Sequence, residues 1–240
     1  MITSAANPRV KLVRKLESRR QREKLGLFAC EGEDLVAAGL DAGLEPVEAL
    51  VDAEHPSLAE RLPGAELVAS DVMARLSTLP HPARVVAVFR RADLPQDLGA
   101  AVGLALWRVS DPGNVGTLLR AADALGPAVV LLSAGCADPT GPKAVRASVG
   151  AVFRVPLGRF EAGEGRVRVA LVPRDGTPLP ELELPERVVF VLGAEREGLP
   201  ESVLADVELS ATIPQSGRAE SLNVATAGAI ALYEWRRRKP

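Results

Sequence analysis

The chain is poor in the residues that hold metals or cross-link a fold. Two cysteines and two histidines occur in 240 residues. Cys30 and Cys136 lie far apart and lack C-x-x-C spacing, so they read as buried free thiols of a reducing compartment. His55 and His81 each precede a proline, with no second histidine or cysteine at ligand spacing. That argues against zinc, and no metal is expected. No apolar run reaches the roughly 18 residues of a membrane span. The N-terminus carries dispersed charge without the apolar segment of a secretory signal. A cytoplasmic protein without membrane contact is therefore expected. No G-x-G-x-x-G opens an early strand–helix turn with an acid about 20 residues further on, which disfavours a nucleotide-dependent oxidoreductase. Asparagine and glutamine are rare, lysine is scarce beside arginine, and proline is frequent. Such a bias fits a GC-rich genome or a heat-adapted protein, and composition does not separate the two.

What is present is ordinary in bulk and uneven in distribution. The 47% hydrophobic and 25% charged content is that of a globular protein long enough for one large or two smaller domains. Net charge is −2, yet residues 1–25 hold eight basic residues against Glu17 and Glu23, a local +6 that leaves about −8 for the remainder. A basic arm on an acidic body suits a polyanion. The same segment also reads as a solvated amphipathic helix packing on Leu12, Val13 and Leu16. The two readings are compatible, since one face can pack while the other meets phosphate.

Periodicity predicts a small α/β unit first. A helix over 1–25 is followed by a strand at Phe28–Gly32 and a helix at Asp34–Leu44. Strands follow at Val47–Val51, Glu66–Val68 and Val85–Phe89, with a helical pattern at Asp71–Leu76 and a breaker run from Leu79 to Pro82. The polar stretch Arg91–Gly99 is the best linker, so domains of 1–95 and 96–240 are expected. The second half alternates more clearly. Strands are predicted at Ala101–Val109, Ala128–Leu132, Val152–Val155, Val167–Val172, Val188–Leu192 and Val207–Ile213, with helices at Val115–Leu125, Gly141–Ser148 and Leu222–Arg238. Strands alternating with helices imply an α/β fold, a mostly parallel sheet with helices on both faces. Ligands of such sheets bind at loops leaving the carboxyl ends of strands.

Three segments sit at such loops. The first, SDPGNVGTLLRAADALG (residues 110–126), is a turn by composition that opens a helix carrying Asn114 and Arg120. By spacing alone, Arg120 reads as a structural arginine paired with Asp123 or a carbonyl. The second, VVFVLGAEREGLP (188–200), is a buried strand opening at Gly193 into a charged loop with Glu195, where glycine permits close approach of a ligand. The third, IPQSGRAESLNVATAGAIALYEW (213–235), passes from a strand end through Gly217, Arg218 and Glu220 to Ser221, Leu222 and Asn223, then into a helix rich in small residues. Ser221 reads as a helix N-cap, and free N–H groups at such a junction suit a ligand.

In order and spacing, the three segments resemble the signature motifs of the SpoU/TrmH family of RNA ribose 2′-O-methyltransferases, in the SPOUT superfamily. The resemblance runs from about Ser110 to Glu234. It implies S-adenosylmethionine as cofactor, with a catalytic cluster of Asn114, Arg120, Glu195, Ser221 and Asn223. It also implies cofactor binding around Leu192, Gly193, Ile213 and Leu222. Arg196 and Glu197 make the second loop more charged than is usual in the family. The segment around Lys143 and Arg146 is similar to a family stretch, and these two side chains either contact substrate phosphate or pack a short helix. The opening segment resembles an accessory RNA-binding domain, which implies RNA contacts from Arg9, Lys11, Arg14, Arg19, Arg20 and Arg22. A trefoil knot and a homodimer follow from resemblance alone. Ribosomal RNA is the favoured substrate, with transfer RNA as the alternative. A rival reading is an RNA-binding or ribosome-assembly protein on the same fold with catalysis lost; retention of the five cluster residues argues against it.

Overall fold

The computed structural model describes residues 1–77, 81–162, 165–216 and 221–238. Leu79 and Pro80 of the breaker run, Gly217, Arg218 and Glu220 of the third segment, and Lys239 near the C-terminus lie outside the described residues.

The predicted helix over 1–25 is two helices, α1 (Pro8–Lys15) and α2 (Arg19–Leu25). Asn7 starts α1 by accepting a hydrogen bond from Arg9 N at 2.9 Å, with Pro8 at the first helical position. The last carbonyls of α1 accept from the amides of Leu16, Glu17 and Ser18, which leaves Leu16 O and Glu17 O in the connecting turn without backbone donors among the described residues. Arg22 of α2 folds back and donates to Leu16 O and Glu17 O, both at 2.8 Å. Gly26, at φ 66°, ends α2 in the left-handed region.

A four-stranded sheet follows, built from β1 (Leu27–Glu31), β2 (Glu48–Asp52), β3 (Glu66–Val68) and β4 (Val85–Arg90) in the order β1-β4-β2-β3. It is accompanied by α3 (Glu33–Asp41) and α4 (Ser70–Leu76). Val10, Val13 and Leu16 pack with α4 residues Val72, Met73 and Leu76 over one face.

The second sheet contains β5 (Val102–Leu106), β6 (Ala128–Leu132), β7 (Leu157–Arg159), β8 (Val167–Leu171), β9 (Thr177–Pro178), β10 (Val188–Leu192) and β11 (Leu209–Thr212). Its order is β7-β6-β5-β10-β8-β11-β9, and every pairing in it is parallel. Strands buried on both faces read as continuous apolar runs, as VVFVL in β10 does. Val102, Leu104 and Leu106 of β5 point to the face covered by α5 (Pro112–Leu125) and α8 (Val224–Arg238), with α6 (Pro142–Ser148) behind α5. Ala105, Val129, Leu131 and Val191 point to the other face, under Phe160 and Val203 of the short α7 (Glu201–Leu204).

The predicted strand at Val152–Val155 is instead a 3-10 turn at Ala151–Phe153. Val149 and Gly150, at φ 50° and 82°, turn the chain too sharply for a strand. The turn drives Phe153 between Phe28 and Phe89 of the first sheet, with ring centroids 5.9 and 5.1 Å away. One hydrophobic core therefore runs through both sheets. Among the described residues no helix is long and apolar enough to cross a membrane.

Candidate active site

Because the second sheet is parallel throughout, the carboxyl ends of its strands share one edge. The chain winds outward from β5 through β6 to β7, then returns to place β10 on the opposite side of β5. The boundary between β5 and β10 is a topological switch point, where open α/β sheets bind ligands. The turn at Asp111 follows β5 and the loop at Gly193 follows β10.

Hydrogen bonds join the three segments there. Asp111 caps α5 by accepting from Asn114 N at 2.8 Å. Asn114 Nδ2 donates to Glu195 Oε1 at 2.9 Å, and Asn223 Nδ2 donates to Asn114 Oδ1 at 3.1 Å. Asn223 Oδ1 in turn accepts from Ala225 N at 2.9 Å and Thr226 N at 3.2 Å. The side chain that starts α8 is thus Asn223, not Ser221, because its carbonyl reaches both free amides of the first turn. Asn114 has a donor on one side and an acceptor on the other, so its amide orientation is set by both neighbours.

Beside this chain lies a cavity of about 540 Å³, within the range of roughly 300–1,000 Å³ usual for small-ligand sites. Leu192, Gly193, Ile213 and Leu222 all line it, as do Glu195, Ser221 and Asn223. Its walls are largely aliphatic, with polar groups confined to the 193–198 loop and the 213–223 segment. Such a donor set fits the adenosyl group of S-adenosylmethionine: apolar walls for a flat base, and main-chain groups near strand ends for its edges. Gly193 is required for a reason other than ligand approach. A Cβ there would lie 2.2 Å from Gly198 C, so the loop's own return excludes a side chain.

Arg120 stands apart from the lining. It lies six residues beyond Asn114 on α5, about 9 Å along the axis, and is exposed. It does not pair with Asp123, which is held by Arg154 Nη2 at 2.6 Å. Among the described residues Arg120 has no hydrogen-bond or ion-pair partner. The second loop is tied to the end of β5 by a long contact of 3.9 Å between Arg108 and Glu197, both largely exposed.

The basic arm divides. Lys11 and Arg20 are exposed. Arg9 lies 3.4 Å from both Glu48 and Glu66, Arg14 donates to Arg75 O, and Arg19 bonds Glu23 and Cys136 O. Arg22 is the correction: it is 4% exposed and pairs with Asp138 at 2.8 Å, so it cannot meet RNA. Asp138 also accepts from Thr140 N and Oγ1, with Arg91 at 3.6 Å. Burial alone would raise its carboxyl. The bonds from Thr140 and Arg22, with the Arg91 charge, outweigh that and hold it below the usual carboxylate range. Nothing in the sequence marked Asp138, because its partner lies 116 residues away. The pair brings α2 against the start of α6, where Lys143 is exposed and Arg146 half-buried.

These features define an α/β enzyme that binds a small ligand at the switch point of its sheet. The SpoU rRNA methylase family model matches residues 101–233, and an MRM3-like substrate binding domain matches residues 7–87. The chain is 34% identical, over 99% of its length and 94% of the relative's, to an uncharacterized tRNA/rRNA methyltransferase of Synechocystis. It is 32% identical, over 98% of both chains, to the 23S rRNA (guanosine(2553)-2′-O)-methyltransferase RlmP of Bacillus subtilis. The AdoMet-bound rRNA methyltransferase of Sinorhizobium meliloti superposes with a TM-score of 0.85 at 31% identity, covering 99% of this chain and 97% of that one. This chain belongs to the SpoU rRNA methylase family.

Proposed function

We propose that the chain methylates a ribose 2′-hydroxyl of ribosomal RNA with S-adenosylmethionine as methyl donor. The observation that carries this reading is the hydrogen-bonded chain Glu195–Asn114–Asn223, which locks three sequence-distant segments together at the mouth of a cavity suited to an adenosyl group.

The cofactor, when bound, supplies a methyl group on a sulfonium that leaves as a neutral thioether, so alignment matters more than covalent help. The protein's part is to hold the acceptor and offset its developing charge. Arg120 is exposed and, among the described residues, free of a local carboxylate, as a group that must meet an incoming alkoxide or phosphate would be. A guanidinium holds its proton tightly and keeps its charge, which makes it a poor base and a good electrostatic partner. Ser221 and the amide of Asn223 complete the rim. The 2′-hydroxyl restricts the substrate to RNA.

Residues 1–95 recruit the RNA and residues 96–240 carry the chemistry. Lys11, Arg20 and Lys143 are exposed for phosphate; Arg9, Arg14, Arg19 and Arg146 reach it by exchanging or extending their present contacts. The active form is a homodimer, a reading supported by Tyr233, which α8 leaves 56% exposed. Two buried free thiols fit a reducing cytoplasm.

The test is transfer of label from S-adenosylmethionine to unmodified ribosomal RNA, followed by nuclease digestion and nucleoside mass analysis. A 2′-O-methylated nucleoside in ribosomal RNA is the expected product. Label confined to transfer RNA would move the substrate. Absence of transfer to every RNA, with cofactor still bound, would refute activity on free RNA.

A further inference from the structure

Among the described residues three buried polar side-chain atoms have no hydrogen-bond partner: Arg168 Nε, Gln215 Oε1 and Trp235 Nε1. The Arg168 guanidinium lies over the Phe160 ring at 4.6 Å, and Trp235 belongs to the hydrophobic core. Gln215 differs from both because it lines the cavity. It lies just beyond β11, two residues after Ile213. Ile213 and Gln215 face the cavity while Pro214 between them does not, the alternation of an extended segment.

A carbonyl oxygen withheld from water without a donor is a standing cost to the fold. The natural way to remove that cost is a ligand carrying an N–H. Gln215's neighbour on the cavity wall is Ile213, and the segment from Ile213 to Gln215 carries no charge, which suits a neutral, flat donor better than an ammonium. A primary amide is the side chain that complements adenine, since its oxygen accepts from the exocyclic amine while its nitrogen can donate to an adjacent ring nitrogen. We infer that Gln215 is a specificity residue of the cofactor site, accepting a hydrogen bond from the exocyclic amine of the cofactor's adenine. This rests on the methyltransferase reading and adds to it a side chain that reads the base.

The experiment is calorimetric titration of the intact chain with two ligands. One is S-adenosylhomocysteine; the other is its purine analogue, in which hydrogen replaces the exocyclic amine. The wild type should prefer the amine-bearing ligand by about tenfold, the value of one well-made hydrogen bond in a closed site. Gln215→Met, which keeps length and removes the amide, should bring the ratio close to one by weakening the amine-bearing ligand alone. Gln215→Glu, which keeps a carbonyl acceptor, should retain most of the preference. The ligand-free Gln215→Met protein should melt no lower than the wild type, because it loses an unpaired group rather than a bond. An unchanged ratio in Gln215→Met, or a wild type that binds both ligands alike, overturns the inference and leaves the methyltransferase reading standing. A wild type that binds neither ligand overturns both. Should Gln215→Met fail to fold, Gln215→Leu, which also lacks the acceptor, replaces it: a ratio near one supports the inference and a retained ratio overturns it.

Discussion

Arg120 and Asn114 share a helix yet work under opposite constraints. Arg120 touches no described partner, so its removal should leave the cofactor cavity intact. Arg120→Ala is expected to bind S-adenosylmethionine with wild-type affinity and to lose about 10²–10³-fold in turnover, the usual effect of removing one electrostatic stabiliser. Equal turnover would remove Arg120 from the mechanism. Asn114 is bonded on both sides, and its nitrogen lies 2.9 Å from the Glu195 carboxylate. Asn114→Asp would set two carboxylates against each other, and such a pair is tolerated only while one holds a proton. The variant's activity relative to wild type should therefore fall as pH rises, which a pH–rate profile will show.

At the scale of elements, the site depends on how closely α5 can approach its neighbours. A Cβ on Gly116 would lie 2.4 Å from Ala144 O and 2.5 Å from Ala147 Cβ, in the backbone and side chains of α6. Backbone cannot yield as a flexible side chain can. Gly116→Ala should destabilise the protein by about 1–3 kcal/mol, as overpacking does, and should lower turnover by shifting α5. A denaturant titration alongside the methyl-transfer assay checks both. A Cβ on Gly228 of α8 would meet side-chain ends rather than backbone, Leu118 Cδ2 at 2.4 Å and Leu192 Cδ2 at 3.3 Å, so Gly228→Ala is expected to be milder.

The whole molecule is held as one body by the continuous core and by Arg22–Asp138. Both side chains of that pair are 5% exposed or less, so deleting one strands the other. Asp138→Ala should cost about 3–5 kcal/mol, measurable as a lower denaturation midpoint. Asp138 and Glu234 also set the acid limit. The Arg237 bond, opposed by burial and reinforced by Arg238, lowers Glu234 to about 2. Carboxyls lowered in the folded state contribute stability that is complete above their unfolded values, near 4, and is lost as pH falls toward the folded ones. Stability should thus hold above about pH 5 and decline between about pH 4.5 and 2, with a shallower decline in Glu234→Gln. RNA affinity should fall with salt, and Lys11→Ala or Arg20→Ala should each reduce the log–log slope by about 0.7–0.9. A slope unchanged by both substitutions would take the basic arm out of the RNA contact.

Periodicity in the sequence was enough for the parallel sheet, since strands such as VVFVL carry their burial in their composition. Composition marked the strand ends and glycine turns, which are local features, whereas Leu192, Gly193, Ile213 and Leu222 were singled out by the resemblance to the SpoU/TrmH motifs, and all four line the cavity. Long-range pairing was not legible. Nothing near Arg22 in the chain distinguishes it from Arg20, yet one is buried against Asp138 and the other is exposed. Val152–Val155 has the composition of a strand but turns, because Phe153 has to reach Phe28 and Phe89. The bond from Asn114 to Glu195 spans 81 residues and that from Asn223 to Asn114 spans 109. Composition and spacing act over a turn or a strand. Which charge meets which, and which amide is left without a donor, is decided only when distant segments pack, and that belongs to the tertiary structure.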